Sequence, residues 1–515
     1  MADRLPDMLL SQLSDFVAER MGFHFPRERW PDLERGIQSA ARAFEFNDTE
    51  LCIRWLFSSP VTQSQIEMLA SHLTVGETYF FRERQSFEML KERILPELIR
   101  KRRGSEQRLR IWSAGCCTGE EPYSIAILLK QVLPDLEDWQ IAILATDINP
   151  RFLQKASEGV YGEWSFRGVP PGIKERHFTK RHGGRFEILP EIKKMVTFSY
   201  LNLAEDTYPS LLNNTNAMDV IFCRNVLMYF ASARAKQVIR KFHHSLLDGG
   251  WLVVSPTETS HILYEQFVTV NFPGVIFYRK DSHRAEASVS YGLEEKTEPS
   301  LQPVFAFSSA PPSDPEPVIA EPEVEFVPTD TPGPRTTETE PVPYAQALYY
   351  YEQGLYEEAV QMLSVLLTRE PGNSKAMALL ARVHANQGNL MEASRWCEKA
   401  LAADKLSPAC HVLHATILQE QGAMQEAVRA LKRALYMDQN LVLAHFALAN
   451  IARQQGKSQE ASKHFENTRS LLNAYAQEEI LPESEGMTAG RLMEILRATS
   501  NGERSAGGKI DDANG

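Results

Sequence analysis

Leu109-Arg-Ile-Trp-Ser-Ala-Gly115-Cys-Cys-Thr-Gly119-Glu-Glu-Pro-Tyr-Ser124 passes from an apolar, strand-like run through a loop of small residues into a helical stretch. Glycines at such a turn let the backbone approach a ligand closely, and the helix that follows offers its free amide groups. Alone, a two-glycine loop serves equally well as a tight structural turn. The next strand-like run, Ile141–Ala145, leads into Thr146-Asp147-Ile148-Asn149, so a carboxylate stands at a strand's carboxyl end about 30 residues after the loop. In doubly wound sheets that position meets ribose hydroxyls, because a carboxylate accepts two hydrogen bonds from the diol. Loop and carboxylate together indicate an adenosyl ligand and leave a dinucleotide and S-adenosylmethionine both open.

Outward from this stretch, Asp219–Cys223 and Trp251–Ser255 are further strand-like runs, while Tyr123–Leu133 and Arg234–Leu247 have helical patterns. Their alternation predicts an α/β, Rossmann-like domain over residues 76–283, with a mostly parallel sheet covered by helices. Within it, Arg176–Met195 reads as a two- or three-stranded excursion turned at Gly183-Gly184, a small β-subdomain at about 176–196. Upstream, Leu9, Leu13, Phe16 and Val17, then Ile66, Leu69, Ala70 and Leu73, recur at helical spacing without strand signals. Residues 1–75 are therefore expected to form a small all-α domain. Between Thr297 and Pro343 stand twelve prolines among many Glu, Ser and Thr. Such a composition cannot bury enough surface to offset its ordering entropy, so 284–342 is expected to be a disordered linker.

Beyond it, Gly354, Gly388, Gly422 and Gly456 recur every 34 residues, each preceded by Gln. Alanines stand seven residues before each glycine (Ala347, Ala381, Ala415, Ala449) and five after it (Ala359, Ala393, Ala427, Ala461). Leu363, Cys397, Leu431 and Phe465 fill the larger packing position. Small residues let paired helices approach, and the glycine turns the chain between them. The pattern resembles the tetratricopeptide repeat, whose period is 34. Residues 343–475 are thus read as four repeats of an all-α solenoid, and 476–515 as a capping helix around Thr488–Leu496 followed by a disordered tail. Stacked repeats expose a groove, whose expected occupant is an unidentified protein or peptide. The alternative is a module that dimerises the chain or packs against its own enzyme.

Hydrophobic residues at 43% and charged residues at 24% exclude disorder throughout, and 515 residues exceed what one core serves. Residues 1–280 hold 35 Lys+Arg against 34 Asp+Glu, whereas 281–515 hold 20 against 33. A neutral half and an acidic half make a poor partner for a phosphate backbone, so no nucleic acid is expected. The basic cluster Arg100–Arg103 with Arg108 and Arg110 suits either solvent or an acidic protein surface. Six cysteines without Cys-x-x-Cys pairs or His partners read as reduced thiols, with no metal site and a cytoplasmic location. No run of about 18 apolar residues occurs, so no membrane insertion is expected.

Thr74–Glu83 (T-V-G-E-T-Y-F-F-R-E), the W-S-A-G-C-C-T-G-E-E-P-Y-S run, Thr146–Ile148 and Phe222-Cys-Arg-Asn-Val-Leu-Met-Tyr-Phe230 resemble the CheR-type chemoreceptor methyltransferases over about residues 1–280. The resemblance implies a protein-glutamate O-methyltransferase that uses S-adenosylmethionine, releases S-adenosylhomocysteine and acts on the cytoplasmic helices of methyl-accepting chemoreceptors. By position it implies that Thr78, Arg82, Glu121, Asp147, Asn202, Leu203, Asn225 and Val226 hold the donor beside the Gly115 turn. Arg82 and Tyr229 match residues placed beside the sulfur and the transferred methyl. Gly76 stands where the family often has Asn. The β-subdomain corresponds to one that in some members clasps a receptor's C-terminal pentapeptide; its loop here is shorter, so docking is expected to be independent of that peptide.

The chemistry agrees with that resemblance. A glutamate carboxylate with a reference pKa of about 4.3 is already ionised in a neutral cytoplasm and needs no general base. The enzyme's task is then to align nucleophile, methyl carbon and leaving sulfur. Arg82 and Tyr229 also have plain readings, as a surface ion-pair partner of Glu77 or Glu83 and as a core aromatic. His243-His244 reads as surface or core, and Cys116-Cys117 as small side chains of the loop. A nucleic-acid methyltransferase would replace Cys223-Arg-Asn-Val by an Asp/Asn-Pro-Pro-aromatic motif. A catalytically idle scaffold is the remaining alternative.

Overall fold

The computed structural model describes residues 5–496 apart from 59–60, 105, 206–207, 282–288, 291–341, 485 and 494. Most of the expected linker and the expected disordered tail lie outside the described residues. Inside the linker span, Val289–Ser290 pairs in parallel with Val270–Asn271.

Helices α1 (Asp7–Met21), α2 (Trp30–Ala43), α3 (Thr49–Ser58) and α4 (Gln63–Leu73) form the N-terminal unit. Leu9, Leu13, Val17, Ile37 and Leu69 meet in one core, to which Ile148 of the neighbouring domain also packs. Thr62 and Gln65 cap α4 reciprocally. The chain then runs into α5 (Arg84–Met89), through a π-turn at Leu90–Ile94, into α6 (Leu95–Arg102).

The sheet begins with β1 (Arg108–Ala114), crosses α7 (Glu120–Val132) to β2 (Gln140–Asp147), and continues with α8 (Pro150–Glu158). A separate antiparallel sheet follows: β3 (Val160–Gly162), β4 (Phe178–Arg181) after α9 (Ile173–His177), and β5 (Arg185–Ile188), in the order β3-β5-β4. This subdomain therefore starts earlier than the sequence pattern indicates, because its first strand is three residues long and separated from the other two. Helix α10 (Pro190–Lys193) leads to β6 (Val196–Tyr200), then β7 (Met218–Phe222), α11 (Ser232–Ser245), β8 (Leu246–Val253), β9 (Val268–Phe272) and β10 (Val275–Arg279). The large sheet has the order β9-β10-β8-β7-β1-β2-β6, parallel from β8 to β6 and antiparallel at β10. β1 and β7 are buried along their whole length, as strands covered by helices on both faces must be, which explains their unbroken apolar runs. Topology reverses between β1 and β7, and the crevice outside the carboxyl ends at such a reversal is where ligands bind.

The four repeats are helix pairs: α12 (Val342–Glu352) with α13 (Tyr356–Arg369), α14 (Ser374–Asn386) with α15 (Leu390–Ala403), α16 (Pro408–Glu420) with α17 (Met424–Met437), and α18 (Val442–Gln454) with α19 (Ser458–Leu472). All eight repeat alanines are buried, and the four glycines take positive φ between each pair. A cap follows in which Ile480 bridges Thr488, residues 489–493 are helical, and Leu481 and Leu492 pack against Phe465 and Leu472.

The repeats lie against the amino ends of the parallel strands. A Cβ on Gly388 would meet Leu247 at 2.6 Å, and those on Gly354 and Gly422 would meet His244 and Gln140. Arg110 of β1 pairs with Glu420 of α16 at 2.6 Å, and Arg108 stands 3.6 Å from the same carboxylate. Leu211 is buried among Ala381, Ala385, Ala393, Cys397, Leu413 and Ile417 of repeats 2 and 3. The basic cluster thus divides: Arg108 and Arg110 face the chain's own repeats, Arg102 pairs with buried Asp219, and Arg103 pairs with Asp135. The module packs against its own enzyme, one of the two alternatives the sequence left open.

Candidate active site

A cleft opens at the carboxyl ends of β1, β2, β6 and β7, on the side of the sheet opposite the repeats. All ten residues singled out above line it: Thr78, Arg82, Gly115, Glu121, Asp147, Asn202, Leu203, Asn225, Val226 and Tyr229. The N-terminal unit forms part of the wall through Phe23, His24, Phe25 and Arg29, a contribution that periodicity alone does not signal.

The loop after β1 is drawn against β2 by the Gly115 and Cys116 N–H groups, which donate to the Thr146 carbonyl at 2.8 and 2.9 Å. Gly115 has φ 82°, and a Cβ there would strike Val226, so glycine keeps the cleft open at this point. Asp147 ends β2 with its carboxylate accepting from the N–H groups of Cys117 (2.8 Å) and Asn149 (2.9 Å). Burial outweighs those bonds and pushes its carboxyl up to about 6. Glu121, in the first turn of α7, accepts from the Ser113 hydroxyl at 2.7 Å and faces Arg224 at 3.2 Å. Burial raises its carboxyl as well, against the pull of Arg224.

Sequence reasoning missed two residues that organise this wall. Arg224, with a side chain only 2% exposed, pairs with Glu83 at 3.0 Å and Glu121 at 3.2 Å and donates to the Arg82 carbonyl. It thereby ties the Arg82 turn to the acidic side of the cleft. Glu258 takes backbone N–H groups from Asn225 (2.6 Å), Val226 (2.8 Å), Met228 (3.1 Å) and Ser255 (3.2 Å) on one carboxylate. Those bonds hold the loop in which Asn225 takes φ 57°, and the same loop delivers Tyr229. The Ser255-Pro-Thr-Glu258 capping box was the available signal.

Arg82 is not the ion-pair partner of its neighbours. Its guanidinium donates to the Glu77 carbonyl at 2.6 Å, while the Glu77 carboxylate pairs with Arg167 and Glu83 with Arg224. Tyr229 is half-buried at the lip with Arg29 over its ring at 5.4 Å, and its carbonyl accepts the His24 N–H at 2.6 Å. Gly76 is explained by a neighbour: a Cβ there would lie 2.5 Å from the ring of Phe152, which itself lines the cleft. Burial drives the Cys116 and Cys117 thiols far above their ordinary range, which removes thiolate reactivity. His243 packs edge-on against Phe267 at 5.0 Å, and His244 lies under Gly354 of the first repeat.

Residues 76–274 match the family model described as CheR methyltransferase, SAM binding domain. A chemotaxis protein methyltransferase of Borreliella burgdorferi is 33% identical over 252 residues, 48% of this chain and 87% of that protein. The chain belongs to the chemotaxis protein methyltransferase family. Chemotaxis protein methyltransferase 1 of Pseudomonas aeruginosa is 37% identical over 220 residues, 42% of this chain and 77% of that one. The probable biofilm formation methyltransferase WspC of the same species is 29% identical over 289 residues, 55% of this chain and 65% of that one. Residues 352–434, within the repeats, match the model described as Anaphase-promoting complex, cyclosome, subunit 3.

The chain is therefore a methyltransferase of the CheR type, and S-adenosylmethionine is its cofactor. The cleft fits that donor on its own chemistry. The donor carries a sulfonium cation, an α-amino group and a ribose diol, and two desolvated carboxylates, Asp147 and Glu121, line the cleft beside the Gly115 turn. Among the described residues no helix is long and apolar enough to cross a membrane.

Proposed function

We propose that this methyltransferase esterifies glutamate side chains on the cytoplasmic helices of a methyl-accepting chemoreceptor. The donor supplies an electrophilic methyl on a sulfonium; every other requirement falls to the protein. Asp147 accepts from the ribose diol, Glu121 faces the amino group, and Gly115, Asn202, Leu203, Asn225 and Val226 enclose the remainder, with Thr78 on the stretch between α4 and α5 that lines the cleft. Arg82 orients the incoming carboxylate, and the hydroxyl and ring of Tyr229 border the methyl.

One observation carries the reading: an arginine and a tyrosine stand at the mouth of a cleft whose floor is acidic, without a histidine relay beside them. The cleft's histidine, His24, is exposed and meets Tyr229 through its backbone. That arrangement suits a nucleophile that arrives ionised, as a glutamate does near neutral pH. Positioning then supplies the rate, a contribution of roughly 7–11 kcal/mol in favourable cases. The division at about residues 75 and 283 into helical, catalytic and repeat units belongs to the same proposal, as does receptor docking without the C-terminal pentapeptide.

Replacing Arg82 tests the assignment. Arg82→Ala is expected to lower kcat/KM for a purified receptor by about a hundredfold, the scale of a misplaced reactant, with the fold kept because its guanidinium contacts only the Glu77 carbonyl in the hydrogen bonds above. Normal transfer by the variant would remove Arg82 from the mechanism.

A further inference from the structure

The Leu201–Leu203 wall of the cleft is reached from outside the methyltransferase domain. Arg491, in the cap that follows the repeats, donates from its guanidinium to the Tyr200 carbonyl at 2.6 Å and lies over the Tyr200 ring at 4.1 Å. Tyr200 ends β6 opposite Asp147, and the next N–H along, that of Leu201, donates to the Asp147 carbonyl at 3.2 Å. A side chain of the cap therefore grips the residue adjoining the donor cleft.

The same connection is held again further along. The Tyr208 hydroxyl donates to the Leu203 carbonyl at 2.9 Å. Ser210 and Thr215 close the following loop, with the Ser210 N–H on Thr215 Oγ1 at 3.0 Å and the Thr215 N–H on the Ser210 carbonyl at 3.2 Å. The tip of that loop gives Leu211 to repeats 2 and 3 and Leu212 to the cluster that contains Leu481 and Leu492. Asn216 Nδ2 then donates to the Ala385 carbonyl at 3.4 Å, beside the Arg110–Glu420 pair. Leu211 is 4% exposed, and the Arg110 and Glu420 side chains are 6% and 7% exposed, so the seam is closed to water.

The need for such a grip follows from topology. Among the described residues β6 is an outer strand of the sheet, paired with β2 alone. The chain leaving it lacks the second ladder that fixes the chain leaving β1 or β7. It must nevertheless present Asn202 and Leu203 to the cleft.

We propose that the repeat module is a working part of the donor site, with Arg491 and Leu211 as positioning residues that hold Leu201–Leu203 in the shape that receives S-adenosylmethionine. The proposal rests on the reading of Asn202 and Leu203 as donor contacts. It makes the module a brace at the back and side of the site, with no part in covering its mouth.

The test uses the full chain with Arg491→Ala, Arg491→Lys and Leu211→Ala. Two quantities are measured: S-adenosylhomocysteine affinity by calorimetry, and KM for S-adenosylmethionine at saturating receptor. For Arg491→Ala, Kd and KM are expected to rise together by roughly tenfold, the scale set by one charge-assisted hydrogen bond; for Leu211→Ala, which loosens the same connection by removing apolar packing, both are expected to rise in the same direction. kcat is expected to be kept, because only uniform binding is lost. Arg491→Lys retains a donor for the Tyr200 carbonyl and is expected to recover most of the affinity, which a general loss of folding would not show. Wild-type affinity in both alanine variants, or a fall in kcat at unchanged KM, overturns the brace while leaving the donor site intact. Absence of uptake by the wild-type chain removes the donor site itself and the brace with it.

Discussion

Asp147 carries the most exposed consequence at the scale of single residues. Its carboxyl stands at about 6 because burial disfavours the charge more than the backbone N–H groups of Asn149, Cys117 and Ile148 favour it. On the proposed role of Asp147, the ribose diol donates to the ionised form, so donor binding and deprotonation are coupled. The sign follows: affinity for S-adenosylhomocysteine is expected to be flat above about pH 7 and to fall as pH drops through about 6, approaching tenfold per unit below it. In Asp147→Asn that limb is expected to vanish, with affinity at pH 7.5 lowered by about 1.5–3 kcal/mol, the range of a hydrogen bond to a charged group. Calorimetry between pH 5 and 8 on both proteins checks it, and a variant that keeps the acid limb would exclude Asp147 as its source. The place of Asp147 was legible in the sequence, because the end of the strand after a glycine loop falls at the carboxyl ends of a doubly wound sheet, where the cleft lies. Arg224 and Glu258 were not, because their partners lie up to 142 and 33 residues away. Spacing carries no trace of such bonds.

Among the elements, legibility followed burial. β1 and β7, and the second halves of β2 and β8, show apolar runs because they are buried on both faces, and α7 and α11 appear in the sequence within a few residues of their observed ends. β6 and β9 are largely half-exposed edge or near-edge strands, and β3 has three residues; their mixed patterns have no period to read. The repeat helices were legible for a different reason, since four glycines in one register need no periodicity argument. Their surroundings now separate them. All four have φ between 72° and 78°, where a side chain costs about 1–2 kcal/mol, yet among the described residues nothing lies within 4 Å of a Cβ at Gly456. At Gly388 a Cβ would also meet Leu247 at 2.6 Å and Ala217 at 3.4 Å. Gly388→Ala is therefore expected to lower the melting temperature more than Gly456→Ala, and Leu247→Ala is expected to shrink the difference. Equal losses at the two glycines would mean that the repeats do not seat on the amino ends of the strands.

For the whole molecule, the chemistry sits at the carboxyl ends of the parallel strands and the repeats seat on their amino ends, while the cap reaches round to Tyr200 at the carboxyl end of β6. The arrangement could not be read from the chain, because Glu420 and Arg110 are 310 residues apart and most of the linker span between their domains carries only compositional information. It changes the meaning of the repeats. A protein gripping the first helices of repeats 2 and 3 must displace Leu211, and by thermodynamic reciprocity a donor that tightens the 200–217 connection must oppose that protein. Upstream of this coupling stands the reaction itself. The most direct measurement incubates the full chain with methyl-labelled S-adenosylmethionine and a purified chemoreceptor, then maps the label by mass spectrometry. Base-labile methyl esters on glutamates of the receptor's cytoplasmic helices are expected. Label on any other residue type, or none while S-adenosylhomocysteine still binds, would contradict the proposed function.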